Sequence, residues 1–230
     1  MRGIGGRPIL GFAGVTAGYG STSVFRNLSF SVSRGEGLCL LGRNGCGKST
    51  VLRSALRLAT VSSGVVQLDG REVNTIPRNG FAQLGVGYVP QGRGNFLSLT
   101  VKENIRLAAV CGTRLPWAGV VDRVFGQLPA IVPLRSRTIG QLSGGERTLV
   151  ALARALALGP ALRLLLLDEL SSGLSSVNKQ FVGALLIRLL QDGTAILMAE
   201  QDLAFAKSLS LPLMEPLWSI DTTAVSQEVF

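Results

Sequence analysis

The chain contains no histidine. Histidine-ligated metal centres, Ser-His-Asp triads and Cys-His dyads are therefore excluded as its chemistry. Aromatic residues are only 6%, with two Trp and two Tyr, so no aromatic ladder is available to stack along a nucleic acid. Acids are few as well: 14 Asp plus Glu stand against 23 Lys plus Arg, a formal charge of +9. The basic residues form no run, which argues against a nucleic-acid partner. A solvated basic surface, an anionic ligand or the anionic cytoplasmic face of a membrane fit the charge better. Cys39, Cys46 and Cys111 are odd in number and lack zinc spacing, so reduced thiols are expected.

Long apolar runs are missing too, although mean hydropathy is high at +0.38. The longest uncharged stretch, Pro8 to Phe25, is interrupted by Gly11, Gly14, Gly18 and Gly20 and by hydroxyl residues, a poor membrane span. The start, Met1 to Pro8, has no apolar core of the signal-peptide kind. A soluble cytoplasmic protein is expected, with an unusually apolar interior or a large apolar contact surface. The 230 residues suffice for one large domain or two small ones around a substantial core. With 47% hydrophobic and 16% charged residues, the chain is not of the disordered class.

The apolar patterning alternates strand and helix. Ile9 to Val32 reads as extended, with Leu28, Phe30 and Val32 alternating with serines. Val65 to Leu68 runs into an Asp-Gly turn and predicts another strand. Gly37 to Leu41 and Leu164 to Leu167 are apolar throughout, as strands buried on both faces of a parallel sheet are. Helices are predicted from Lys48 through Ala59, over broken stretches between Thr100 and Gly140 (interrupted by Pro116, Pro129 and Pro133), over Glu146–Leu158 and around Phe181–Leu189, and Thr194–Met198 predicts a further core strand. This order predicts an α/β layered domain with a parallel sheet.

Gly42-Arg43-Asn44-Gly45-Cys46-Gly47-Lys48-Ser49 fits the phosphate-loop pattern, between a buried strand and a helix. Glycines let successive N–H groups turn inward toward phosphate oxygens, and the helix adds its positive end. Lys48 would reach the β- and γ-phosphates and the Ser49 hydroxyl would ligate Mg²⁺. Asp168 and Glu169 end a buried strand, where an open α/β sheet places its ligand. There Asp168 would hold Mg²⁺ and Glu169 would polarise an attacking water; a strand simply ending in exposed acids is the plainer alternative. Leu142-Ser143-Gly144-Gly145-Glu146 has capping-box spacing before a helix. It reads either as a well-made helix start or as an anion site, and two chains facing head to tail would have a use for the second.

In this order the three motifs resemble the ATP-binding subunit of an ABC transporter, over about Ile9 to Ala206. The resemblance implies a P-loop NTPase core with a parallel sheet, an N-terminal antiparallel β subdomain and a helical subdomain at about 97–158, all within one ATP-binding domain spanning 1–230. It implies ATP and Mg²⁺ as ligands, with Gly42 through Ser49 and Thr50 around the phosphates. It implies Tyr19 stacking on adenine, Gln91 sensing Mg²⁺ and touching a transmembrane partner, and Ser143, Gly144 and Gly145 reaching the nucleotide of a second, homologous or identical subunit. Ser171 to Ser175 falls at the family's dimer-contact loop. Gln201 stands where the family usually has a switch histidine.

The Glu200-Gln201 pair and Asp168-Glu169-Leu170-Ser171 are similar to the second ATPase subunit of branched-chain amino acid importers, with urea importers as a near alternative. The implied role is a peripheral motor at the cytoplasmic face of the membrane. It would serve separate permease subunits and, through them, a periplasmic solute-binding protein, and would not bind nucleic acid. A soluble non-transport ATPase and a subunit with degraded turnover are the rivals. Departures from the subgroup are the segment Ser208 to Phe230, with Pro212 and Pro216, and Ser175-Ser176 in place of Ala-Pro. Cys46 inside the phosphate loop suggests that its oxidation would block nucleotide.

Overall fold

The computed structural model describes residues 8–92, 94–112 and 117–215. Along the chain run β1 (Leu10–Tyr19), β2 (Thr22–Val32), β3 (Gly37–Leu41), α1 (Lys48–Ala55), β4 (Thr60–Leu68), β5 (Arg71–Glu72) and β6 (Val86–Val89). There follow α2 (Val101–Gly112), α3 (Trp117–Gln127), α4 (Gly144–Leu156), β7 (Leu164–Asp168), α5 (Ser176–Gln191), β8 (Ala195–Glu200), α6 (Leu203–Ser208) and β9 (Leu213–Met214). Two sheets result: an antiparallel one ordered β2-β1-β4-β5 and a parallel one ordered β6-β7-β8-β3-β9.

The uncharged stretch near the start forms most of the β1–β2 hairpin, where Phe12 and Phe30 pair and their rings stack at 4.6 Å. In the parallel sheet the two-residue period sorts side chains between two cores. Leu164 and Leu166 of β7 join Leu197 of β8, Leu40 of β3 and the antiparallel sheet, with Leu52 of α1 between. Leu165 and Leu167 point the other way, toward Ile196, Met198 and the helices, among them Leu149, Leu152, Ile105 and Leu128. Each buried leucine contributes about 1.5–3 kcal/mol, which accounts for the near-exclusive use of apolar residues here.

The boundaries differ from the sequence expectation for identifiable reasons. Helix α1 stops at Ala55, where the predicted pattern ran on to Ala59, because Arg57 takes a left-handed φ of 57° and β4 already begins at Thr60. Strand β4 is correspondingly longer than the Val65–Leu68 signal. Between Thr100 and Gly140, Pro129 and Pro133 sit in a 3₁₀ segment, Pro129–Leu134, so the helical pattern there is real but not α. Pro116, Pro216 and the rest of the chain end lie outside the described residues, as does Arg93. Pro212 does not prevent an edge strand: its carbonyl accepts from the Cys39 N–H at 2.9 Å, and β9 pairs with β3 just beyond it. Among the described residues no helix is long and apolar enough to cross a membrane.

Candidate nucleotide and Mg²⁺ site

Strand β3 delivers the chain into the glycine-rich loop at the carboxyl end of the parallel sheet. Gly45 and Gly47 have φ of 81° and 93°, a conformation that side chains with a Cβ adopt only with strain. Gly47 caps α1, and the first N–H groups of that helix have no acceptor within it. Lys48 is 3% exposed, and its Nζ donates to the Gly42 carbonyl at 2.7 Å and the Arg43 carbonyl at 2.9 Å, with Cys46 Sγ at 3.9 Å. The ammonium is thus held inside the loop. Arg43 and Asn44 are exposed, Cys46 is half-buried and Thr50 is buried.

Ser49 and Asp168, far apart in the chain, meet here. The Ser49 hydroxyl donates to Asp168 Oδ1 at 2.7 Å. Asp168 is 1% exposed and its Oδ2 is buried without a well-formed hydrogen bond. Burial pushes its carboxyl above the usual range, opposed by the Ser49 hydrogen bond, by the charges of Arg53 and Lys48 and by the Gln91 backbone N–H, which faces the carboxylate without forming a well-made bond to Oδ2. A hydroxyl and an orphaned carboxylate oxygen beside a phosphate loop suit a hard cation that takes its remaining oxygens from phosphates and water. The residues present therefore fit Mg²⁺. Among the described residues no group of three or more His, Cys, Asp or Glu could hold a metal.

Glu169 follows Asp168 with a left-handed φ of 51°, and its N–H donates to the Ala199 carbonyl at 2.8 Å. The turn takes its side chain off the strand and onto Gln91, whose amide Nε2 donates to Glu169 Oε2. Gln91 comes from just beyond β6, the neighbour of β7, so sheet order brings these two predicted residues together. Gln201 follows β8 and is exposed.

Tyr19, at the end of β1, is 42% exposed, and its hydroxyl accepts from Arg53 Nη1 at 3.1 Å. Arg53 was not anticipated as a site residue. Its i+4 spacing from Ser49 on α1 was the available signal. It also neighbours Tyr88, whose hydroxyl is raised by burial and by the charge of Asp168.

The Ser143 loop is built differently. Both halves of the capping box are present: the Ser143 N–H donates to Glu146 Oε2 at 2.7 Å and the Glu146 N–H to Ser143 Oγ at 3.3 Å. The Ser143 N–H and, after it, the Ser143 hydroxyl hold the Glu146 carboxyl below its usual range. A Cβ on Gly145 would lie 2.4 Å from the Gly173 carbonyl, so glycine is required for α4 to approach the loop after β7. Further bonds run from Asn95 Nδ2 to the Arg147 carbonyl at 2.7 Å and from Arg147 to the carbonyls of Ile139 and Gly140. These ties run to Gly173, Asn95 and the 139–140 turn, not to the phosphate loop of the same chain.

A second acid was overlooked in this role. Glu200, the last residue of β8, is 1% exposed, and it accepts from the Ser171 N–H at 2.9 Å and the Ser171 hydroxyl at 2.8 Å. An acid closing an apolar strand, as Asp168 does, was the sequence signal. Burial raises its carboxyl, countered by Ser171 and by the backbone N–H groups of Gln201 and Asp202. Burial of Cys39, and after it the charge of Glu200, push the Cys39 thiol up to about 12, against the lowering charge of Lys48. Cys39 is a buried cysteine and Cys46 a half-buried one; the Cys111 side chain lies outside the described set.

A phosphate loop at the carboxyl edge of a parallel sheet, faced by the buried Asp168 and the half-buried Glu169 and flanked by an antiparallel sheet and a helical layer, defines a nucleotide-hydrolysing cassette. The comparisons carry this one step further. The family model described as ABC transporter matches residues 25–172, so the chain belongs to that family and is an ATP-binding, ATP-hydrolysing subunit. It is 31% identical over 194 residues to the high-affinity branched-chain amino acid transport ATP-binding protein BraG of Pseudomonas aeruginosa, covering 84% of this chain and 82% of that one. It is 32% identical over 197 residues to a probable branched-chain amino acid transport ATP-binding protein, LivF, of Archaeoglobus fulgidus, covering 85% and 83%. A dimeric bacterial ABC transporter cassette superposes with a TM-score of 0.81 at 24% identity, covering 90% of this chain and 94% of that one, which shows a shared fold.

Proposed function

We propose that this ATPase subunit powers uptake of branched-chain amino acids through separate permease subunits, as a peripheral protein at the cytoplasmic face of the membrane. Two relatives of nearly the same extent carry that function in their names. The Glu200-Gln201 and Leu170-Ser171 features of this chain point the same way. We read residues 1–230 as one cassette, with α2, α3 and α4 in a helical subdomain near 97–158. A second cassette, homologous or identical, completes the unit, and a periplasmic solute-binding protein supplies the permeases.

The observation that carries the site assignment is the Ser49–Asp168 pair with its orphaned Oδ2 beside the Lys48 loop. In this reading Gly42 to Thr50 enclose the phosphates, the inward N–H groups take the non-bridging oxygens, and Lys48 exchanges two loop carbonyls for phosphate oxygens. Tyr19 stacks on adenine. Ser49, Asp168 and Gln91 would hold Mg²⁺, which supplies charge neutralisation across the β- and γ-phosphates. Glu169 accepts a proton from the attacking water, and Gln91, bonded to it, keeps that carboxylate aimed. Gln201 donates to the γ-phosphate in place of a histidine. Ser143, Gly144 and Gly145 present the N–H groups and positive end of α4 to the partner's nucleotide, a use that explains why they are anchored away from their own phosphate loop.

The test is uptake of labelled leucine, isoleucine and valine in cells lacking the chain. Loss restored by the wild type but not by Glu169→Gln is expected. Unchanged uptake overturns the solute assignment, and lost urea uptake instead favours the urea importer. Normal transport of both, with ATPase activity intact, favours the soluble non-transport ATPase.

A further inference from the structure

Glu200 is a buried acid to which the reading above assigns no task. Its carboxylate is ligated by the N–H and hydroxyl of Ser171, with the backbone N–H groups of Gln201 and Asp202 facing it. Among the described side chains it has no ion-pair partner within salt-bridge distance. A charge held this way in an apolar interior is costly.

The strands explain what it joins. β7 and β8 are parallel neighbours, with Asp168 opposite Ala199. Beyond that rung the chains diverge, one into Glu169–Gly173 and α5, the other into Gln201 and α6. The Ser171–Glu200 bonds span this fork immediately past its last rung. Each branch is pinned again further on. Asp202 caps α6 through the Phe205 N–H at 3.0 Å and bonds Lys179 of α5 at 2.7 Å. Gln201, exposed, therefore sits between two tethered acids. The backbone carbonyl of Glu200 also accepts from the Gly42 N–H at 3.2 Å, at the mouth of the phosphate loop. Ser171 in turn lies two residues before Gly173, against which Gly145 packs.

We infer that Glu200 is a positioning residue for ATP hydrolysis: with Ser171 it clamps the two branches so that Glu169 and Gln201 hold a fixed separation over the γ-phosphate. The clamp ties together the phosphate-loop mouth, the Glu169 branch and the Gln201 branch without touching nucleotide. The inference rests on the assignment of Glu169 and Gln201 made above.

Steady-state ATPase of the full chain tests it, with Mg-ATP binding and thermal melting measured in parallel. Glu200→Ala is expected to lower kcat by about tenfold to a hundredfold, the scale of an ångström-sized misplacement, with KM changed by less than about threefold. Ser171→Ala, which keeps its N–H, is expected to lose less, and the double variant to be no worse than Glu200→Ala alone. Glu200→Gln, which keeps an acceptor oxygen for Ser171, is expected to recover most of the turnover. A folded Glu200→Ala with kcat within twofold of wild type overturns the inference. So does a parallel loss of kcat, affinity and melting temperature that Glu200→Gln does not relieve. Where Glu200→Ala does not fold, Ser171→Ala and Glu200→Gln decide by the same split. Wild-type turnover in Glu169→Gln removes the assignment beneath; normal turnover in Glu200→Ala beside an inactive Glu169→Gln removes the clamp alone.

Discussion

Asp168 and Glu200 end neighbouring strands of one sheet, and each is 1% exposed. Burial pushes both carboxyls upward. They differ in what is left over. Glu200 has both oxygens hydrogen-bonded by Ser171, whereas Asp168 keeps Oδ2 orphaned and shares Oδ1 with Ser49. A buried unsatisfied carboxylate oxygen destabilises the chain by itself, and natural folds keep one where a ligand will complete it. The fold thus satisfies one acid and leaves the other an oxygen that the proposed Mg²⁺ would complete, a contrast that burial alone would not draw.

The largest expected effect sits next to the unfinished acid. Glu169→Gln removes the carboxylate that Gln91 steadies and should lower kcat by about 10²–10⁴, the range for a general base, with Mg-ATP binding retained. Loss of binding together with turnover would show that Glu169 shapes the pocket instead. Next, Asp168→Asn should raise the Mg²⁺ concentration for half-maximal ATPase by about tenfold or more, since a charged oxygen ligand becomes a neutral one. An unchanged Mg²⁺ dependence would take Asp168 out of the cation site and erase its contrast with Glu200.

How far these two acids were legible differs for physical reasons. Leu164–Leu167 announced a strand buried on both faces, so an acid directly after it demanded an explanation, and the phosphate loop supplied Ser49 as its partner. Glu200 closes an equally apolar strand, but its partner is a serine that reads on paper as part of an exposed contact loop. Only the fork between β7 and β8 places Ser171 over it. The same limit applies to Arg53 and Tyr19, joined through tertiary packing of α1 on β1. Local signals did better: the Ser143–Glu146 box forms as its spacing predicts, because both partners lie within one helical turn.

The contrast also predicts that the two substitutions differ in their effect on stability. Asp168 titrates higher in the folded chain than in the unfolded one. Below the unfolded value both states are protonated and no penalty exists. As pH rises toward the folded value the unfolded state ionises first, and stability is lost. Without nucleotide or Mg²⁺, Asp168→Asn should therefore raise the melting temperature near pH 7.5, with the gain fading toward pH 4. Glu200→Gln removes the same kind of buried charge but weakens bonds that are fully used, so no gain is expected. Equal gains from both substitutions would mean that Ser171 does little for Glu200.

The smallest effect concerns an acid that is neither buried nor orphaned. Glu146 is held below its usual range by the Ser143 N–H, and its stabilisation of α4 is present above the unfolded carboxyl value and lost as pH falls through the folded one. Ser143→Ala removes the other half of the box and should cost about 1 kcal/mol. The Ser143→Ala deficit in melting temperature should be the same at pH 6 and pH 8, where Glu146 is ionised throughout. A Glu146→Gln substitution should leave most of the cap intact, since its amide oxygen can still accept from the Ser143 N–H. If Ser143→Ala instead leaves stability untouched while abolishing ATPase activity, the hydroxyl is held for the facing nucleotide rather than for its own helix. The Ser143 loop would then belong with Asp168 among the parts that binding completes.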